Sequence, residues 1–187
     1  MSYPKLKWLL SLTLIVVTAS WTTHAALVKK MSLSEMVGNA DKVFRATVMS
    51  KEPGSLQAGG GELSTIIYTL RIDDPIKGDF GSGKEGQVLQ FIMLGSMKSS
   101  LVVGTQKRLT NLQINPDLQL GSDYVLFTTA RSSVGLSTTV GLGQGLFHLS
   151  NDSNGRDMVV NSLGNQGLFS GPVSYDDLKA AIFTNLN

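Results

Sequence analysis

The chain has 187 residues, of which 42% are hydrophobic and only 16% are charged. Average domains carry about 25% charged residues, and a length in this range predicts one domain. The sequence contains no cysteine and only two histidines. It therefore excludes a disulfide framework, a zinc ribbon, an iron–sulfur cluster and a thiol nucleophile.

Residues 1–25 have the pattern of a signal peptide. Lys5 and Lys7 precede an apolar run over residues 8–17, and Thr23-His24-Ala25 follows as a small-residue cleavage pattern. The run is about half the length that a membrane-spanning helix needs. We expect cleavage before Ala26, a single mature domain over 26–187, and no stable membrane span afterwards. An uncleaved anchor is the alternative.

Loss of this leader changes the charge of the chain. The full sequence has 16 basic and 14 acidic residues, and residues 1–25 contain two lysines and no acid, which leaves 14 of each. A neutral, exported chain does not predict nucleic-acid binding. Export without cysteine predicts a periplasmic or extracellular protein of a bacterium.

The first predicted element of the mature chain is a short helix that begins after Ser32. Ser32 and Glu35 have the spacing of a capping box, and Gly38-Asn39 predicts a left-handed end. A strand follows over Val43 to Met49, with Phe44, Ala46 and Val48 on its core face. Residues 52–63, which include three consecutive glycines, predict a mobile surface loop.

The middle of the chain alternates strands and irregular segments. Residues 65–72 predict a strand that ends at Asp73-Asp74-Pro75, because proline cannot donate to a β-ladder. Residues 87–94 predict the third strand. Residues 95–117 are irregular, with a short edge strand over residues 101–103.

The last third contains a strand over residues 124–129 and a polar loop over residues 131–143. Two apolar runs at residues 145–149 and 157–160 flank an Asn-Gly step, which predicts a hairpin. Ser174 caps a final helix, whose first turn carries two aspartates. Short strands, turn signals and two short helices predict an antiparallel barrel or sandwich.

One internal repeat is visible. The sequence Gly-Gln-Gly-Leu-Phe at residues 143–147 returns as Asn-Gln-Gly-Leu-Phe at residues 165–169. Two copies are too few for a solenoid. We interpret them as two similar strand entries, and a duplicated ligand loop is the alternative.

Four segments carry a family resemblance: residues 39–48, residues 68–72 with Ile76-Lys77-Gly78, residues 120–127, and Gly143-Gln144-Gly145. Together they resemble a group of uncharacterised exported bacterial proteins. The layout is also similar to the netrin-like barrel of the tissue inhibitors of metalloproteinases, a relative of the OB-fold. The resemblance implies a mainly β protein, a small antiparallel OB-like barrel with short N-terminal and C-terminal helices. Those inhibitors chelate the protease zinc through an N-terminal cysteine, which this chain lacks.

Candidate chemistry is sparse. After cleavage the only histidine is His148, which strand alternation places on the solvent side, opposite Phe147 and Leu149. The acidic pair at residues 73–74 has a structural explanation in the turn that it introduces. Asp152 and its neighbours distantly resemble a calcium loop, but the hairpin explains them better. We predict no catalytic residue, no metal and no cofactor.

The predicted function is therefore an exported, non-enzymatic binding module, either a peptidase inhibitor or a protein-interaction domain. Its expected partner is an exported protein such as a protease, bound through the loops 54–62 and 131–145 and the mature N-terminus. The alternatives are an envelope-associated hydrolase that uses His148 with Asp152, and a structural matrix protein. Lys77 either docks a carboxylate partner or solvates its loop. The candidate binding residues are Ala26, Tyr68, Lys77, Gly143, Gln144 and Gly145.

Overall fold

The structure, a computed structural model, describes residues 29–81, 85–97 and 116–186. The predicted signal peptide, Ala26 and the edge strand at residues 101–103 lie outside these residues. The elements, in chain order, are α1 (Leu33–Asn39), β1 (Lys42–Ala58), β2 (Gly61–Lys77), β3 (Val88–Leu94), β4 (Asp123–Thr128), a 3₁₀ helix (Leu142–Gly145), β5 (Leu146–Asn151), β6 (Asp157–Asn161), β7 (Val173–Ser174) and α2 (Tyr175–Thr184).

The strands form one antiparallel sheet in the order β3-β2-β1-β4-β5-β6-β7. This confirms the mainly β class with two short helices. The described strand ladder leaves β3 and β7 as its two ends, so closure into a barrel is not confirmed. The edge of β4 is divided between two partners. Residues 124–126 pair with β5, whereas Phe127 O and Thr129 N bond to residues 140 and 138.

Two apolar cores lie on opposite faces of the sheet. Helices α1 and α2 cover one face, where Val43, Phe127 and Phe147 are fully buried. The other face carries Phe44, Tyr68 and residues of β3 and β4. The predicted core positions are confirmed by the burial of Phe44, Ala46 and Val48. The exposed fraction is 0% for Phe44 and Ala46 and 1% for Val48.

The predicted mobile loop at residues 52–63 is wrong. Strands β1 and β2 continue through it to a two-residue turn, with Ala58 paired to Gly61. Gly59 and Gly60 have φ of 62° and 80°, the conformation of the tight turn that suits the twist of a hairpin. Two of the three consecutive glycines thus form the turn. The residues before them belong to β1, where exposed and half-buried positions alternate.

Two predicted stops are also wrong. β2 passes through Asp73-Asp74-Pro75 to Lys77, because Pro75 lies opposite Phe44 beside register shifts that interrupt the ladder. Helix α1 ends at Ala40 in an extended conformation rather than with a left-handed residue. The Ser32 capping box, the hairpin β5–β6 and the Ser174 cap of α2 are confirmed.

Candidate functional site

The side chain of Gln144 binds the backbone of the residues that precede α1. Gln144 is 4% exposed. Its Oε1 accepts a hydrogen bond from Met31 N at 2.9 Å, and its Nε2 donates to Lys29 O at 3.0 Å. These two backbone groups are two residues apart, so the amide takes the place that a neighbouring β-strand would occupy. Gln144, predicted as a ligand residue, therefore contacts its own chain.

The glycines around Gln144 are sites of close approach. A methyl group at Gly143 would lie 2.5 Å from Ser162 Oγ, and one at Gly145 would lie 2.5 Å from Val140 O. A methyl group at Gly141 would lie 2.8 Å from Met31 Sδ, and Gly141 also has a φ of 60°. Packing against residues 31, 140 and 162 thus accounts for the small residues in this turn.

Two buried asparagines hold the turn in place. Asn161 Nδ2 donates to Gln144 O at 3.1 Å. Asn161 and Asn165 each donate a backbone N–H to the side-chain oxygen of the other, at 2.8 and 2.9 Å. Asn165 is fully buried and has a φ of 60°, a conformation that asparagine tolerates. Sequence reasoning missed both residues, although the repeat that contains Asn165 was the available signal.

The second copy of the repeat lies beside the same segment. Gln166 Oε1 accepts a hydrogen bond from Lys30 Nζ at 3.3 Å. Residues 162–168 form turns, so the interpretation of this copy as a strand entry is wrong. Only the first copy leads into a strand, because the Asn161–Asn165 bonds fold the second back on β6. We define the N-terminal clasp as Gly141, Gly143, Gln144 and Gln166, with Lys29 to Met31 bound in it.

Lys77 neither faces a partner's carboxylate nor solvates its loop, the two roles expected from the sequence. Its Nζ donates to Val37 O and to Ala40 O, both at 2.6 Å. These carbonyls belong to the C-terminal end of α1, where a positive charge is favourable. Lys77 therefore ties α1 to the end of β2.

Tyr68 is fully buried, and its hydroxyl donates to Asp117 Oδ1 at 3.0 Å. Lys51 Nζ binds the same carboxylate oxygen. Burial, reinforced by Asp117, raises the pKa of Tyr68 above its ordinary value. Burial opposes ionisation of Asp117, but the bonds from Lys51 and Tyr68 outweigh it and hold the pKa of Asp117 below its ordinary value. This is a satisfied polar network at the edge of the second core.

An ionic cluster that sequence reasoning missed surrounds Arg45 on the helix-covered face. Arg45 Nη1 binds Asp157 Oδ2 at 2.6 Å, and Nη2 lies 3.5 Å from Asp123 Oδ2. Burial alone would lower the pKa of Arg45, but Asp157 and Asp123 raise it. The guanidinium also lies over the Tyr175 ring, 5.2 Å from its centroid. The residues come from four elements, and strand alternation along β1 was the only sequence signal for Arg45.

Both aspartates of the 73–74 pair join this cluster. Thr47 Oγ1 donates to Asp73 Oδ2 at 2.7 Å, and Tyr175 donates its hydroxyl proton to Asp74 Oδ2 at 2.7 Å. Lys179 also binds Asp74. A cleft of about 380 Å³ opens here, lined by Arg45, Asp73, Asp74, Pro75, Glu85 and Tyr175. Since four of these six side chains are bonded to each other or to neighbours, the cluster ties α2 to β1 and β2.

His148 and Asp152, the residues of the hydrolase alternative, have separate surroundings. His148 is exposed on β5, as predicted, with its ring 5.3 Å from that of Tyr124 in an edge-on contact. Asp152 accepts backbone hydrogen bonds from Asn154 and Arg156 in the β5–β6 turn and pairs with the Arg156 guanidinium. No group of three or more metal-ligating side chains is found in the described residues.

The distal half of the β1–β2 hairpin extends beyond its neighbours. The pairing of β4 with β1 ends at Thr47, and that of β3 with β2 ends at Thr65. We call residues 50–64 the arm. At about 3.3 Å per residue, β1 continues for roughly 30 Å past β4. Within the described part of the chain, no strand pairs with the outer edge of residues 50–58.

The sequence matches no protein-family model and no curated protein. In residues 29–81, 85–97 and 116–186, no helix is long and apolar enough to cross a membrane.

Proposed function

We propose that this chain is an exported, non-enzymatic binding module whose partner is an exported peptidase. The observation that carries the proposal is the arm, a two-stranded ribbon that projects from a sheet anchored by two cores. An extended strand with unpaired backbone groups is the shape that a peptidase cleft binds, because substrates lie there as added β-strands.

The outer edge of β1 offers backbone donors to a partner, but it is interrupted in a way that disfavours pairing with a second copy of the chain. Ala58 and Gly61 close the two-residue turn, so the register directs the backbone groups of residues 51, 53, 55 and 57 away from β2. Lys51, Ser55 and Gln57 can each donate an N–H there, whereas Pro53 cannot. The missing N–H of Pro53 would interrupt a continuous β-ladder and therefore disfavours aggregation between copies of the chain.

The arm and the adjacent end of β3 also present apolar side chains to solvent. Leu63 is 39% exposed and Leu94 is 44% exposed. Thr65 pairs with Leu94, which places Leu63 and Leu94 on one face of neighbouring strands. Aliphatic groups beside a polar edge suit a partner that buries side chains in pockets while it binds backbone.

We also propose a more specific fold, in which β1 to β4 curl into an OB-like barrel that carries the arm. The supporting contact is a hydrogen bond from Ser137 N to Ile92 O at 2.9 Å, which links the β3 edge to the segment that bonds to the end of β4. Small barrels of this kind bind ligands through projecting loops and hairpins.

The test shortens the arm without changing its turn. Deletion of residues 55–58 and 61–64 joins Gly54 and Thr65 through the same Gly59-Gly60 turn, keeping the alternation of both strands. We expect the shortened protein to fold and to lose inhibition of exported metallo- and serine peptidases in a panel assay. Leu63→Ser should weaken inhibition, and Leu120→Ser, at an exposed leucine outside the arm, should not. Equal inhibition by the shortened and full-length proteins, or none by either, would reject the proposal.

A further inference from the structure

We propose that the N-terminal clasp is a binding site for an extended peptide, which residues 29–31 fill in cis and which accepts the same peptide in trans. The site lies between the 3₁₀ helix and the turns after β6, apart from the arm. It is therefore independent of the function proposed above.

The clasp binds the backbone of the segment that occupies it. Gln144 contributes one acceptor and one donor, to Met31 N and Lys29 O, and a third bond from its Nε2 to Gly141 O at 3.3 Å fixes the amide. Its own carbonyl is held by the buried Asn161. A buried, preorganised amide binds a peptide with little loss of side-chain freedom.

The residues around Gln144 contact two consecutive side chains of the bound segment, those of Lys30 and Met31. Met31 packs against the helix-covered core, and its Sδ occupies the space that a side chain at Gly141 would need. Lys30 reaches Gln166, while the Lys29 side chain is 84% exposed and pairs with Glu35. The site thus favours a long apolar residue at the third position and a basic residue at the second.

Occupation in cis accounts for the two glutamines of the repeat. The two Gln-Gly-Leu-Phe copies supply the two glutamines, one for the backbone and one for a side chain. The bound segment continues directly into the Ser32 cap of α1. A duplicated ligand loop, the alternative left open by the sequence, describes this arrangement, with the ligand supplied by the chain itself.

The first experiment tests binding in trans with the full chain. Met31→Asp weakens the cis segment and leaves the clasp residues intact. An acetylated, amidated pentapeptide with the sequence of residues 29–33 should then raise the melting temperature of this variant in a saturable manner. The double variant Met31→Asp/Gln144→Ala should show no shift, and a pentapeptide with aspartate in place of methionine should have no effect. No shift with Met31→Asp, or an equal shift with the double variant, overturns the proposal.

A second experiment does not depend on the folding of Met31→Asp. Trypsin cleavage after Lys30 requires the segment to leave the clasp, so Gln144→Ala in the full chain should accelerate it roughly tenfold through the loss of its hydrogen bonds. Cleavage after Arg45, in a strand that is paired on both sides, requires unfolding of the sheet and should not change. Gln57→Ala, an exposed glutamine of the arm, is the matched control. Equal cleavage after Lys30 in Gln144→Ala and wild type overturns the proposal.

Discussion

Replacement of Lys77 by methionine should destabilise the protein by about 2–3 kcal/mol. The Lys77 ammonium donates two hydrogen bonds of 2.6 Å to Val37 O and Ala40 O. A hydrogen bond to a charged group contributes roughly 1.5–3 kcal/mol, and a cation at a helix C-terminus adds about 0.3–1 kcal/mol. Because the two bonds share one half-buried ammonium, we count them together as one hydrogen bond to a charged group, which with the helix contribution gives about 2–3 kcal/mol. Methionine retains the apolar stem, which isolates the loss of the ammonium.

The assay is urea unfolding followed by circular dichroism, with the midpoint and slope fitted separately. For a domain of this size, the expected loss lowers the melting temperature by about 4–12 °C. Lys29→Met is the matched control, because its side chain is 84% exposed and its ion pair with Glu35 lies at the surface. A loss below about 0.5 kcal/mol for Lys77→Met, equal to the control, would refute the assigned role.

Two further predictions concern the buried phenols and the glycines. Burial raises the pKa of Tyr68 and of Tyr175, helped by Asp117 and Asp74 respectively, so their stabilising contribution is complete below about pH 10 and is lost as the pH rises above it. Urea unfolding at about pH 9 and about pH 11 should show the loss, and Tyr68→Phe should reduce it; a pH-independent stability would contradict the assignment. Gly145→Ala should cost about 2 kcal/mol or more in the same unfolding assay, because its methyl group meets backbone at 2.5 Å. Gly38→Ala, with open space in α1, should instead stabilise the protein by about 0.5–1 kcal/mol, and similar effects of the two substitutions would disprove the packing argument.

Elements whose signals are local could be predicted from the sequence. The Ser32 capping box, the β5–β6 hairpin and the Ser174 cap each depend on residues a few positions apart. The strands β3 and β4 were found within one residue at each end because both are short apolar runs between turn signals. Such interactions form within one element, so a single sequence contains them.

The sequence does not predict the arm because the glycines of this segment have two different structural roles. Gly59 and Gly60 need positive φ and mark the turn, whereas Gly54 lies in β1, where Ile67 Cδ1 would be 2.9 Å from a methyl group. Counted together, these glycines predict a flexible loop. Their roles separate only when the register between β1 and β2 is known, and the register depends on pairing between distant residues.

Much of the candidate site depends on contacts that no local pattern encodes. Gln144 and Met31 are separated by 113 positions, and Arg45 and Asp157 by 112. The repeat was visible, yet its two copies fold differently because Gln144 is buried between the sheet and the N-terminal segment while Gln166 is exposed. What the copies share is the segment that they contact, and this is a property of the tertiary structure. Because the conformations of the two copies differ, we attribute the glutamine that they have in common to the segment that both contact, Lys30 and Met31.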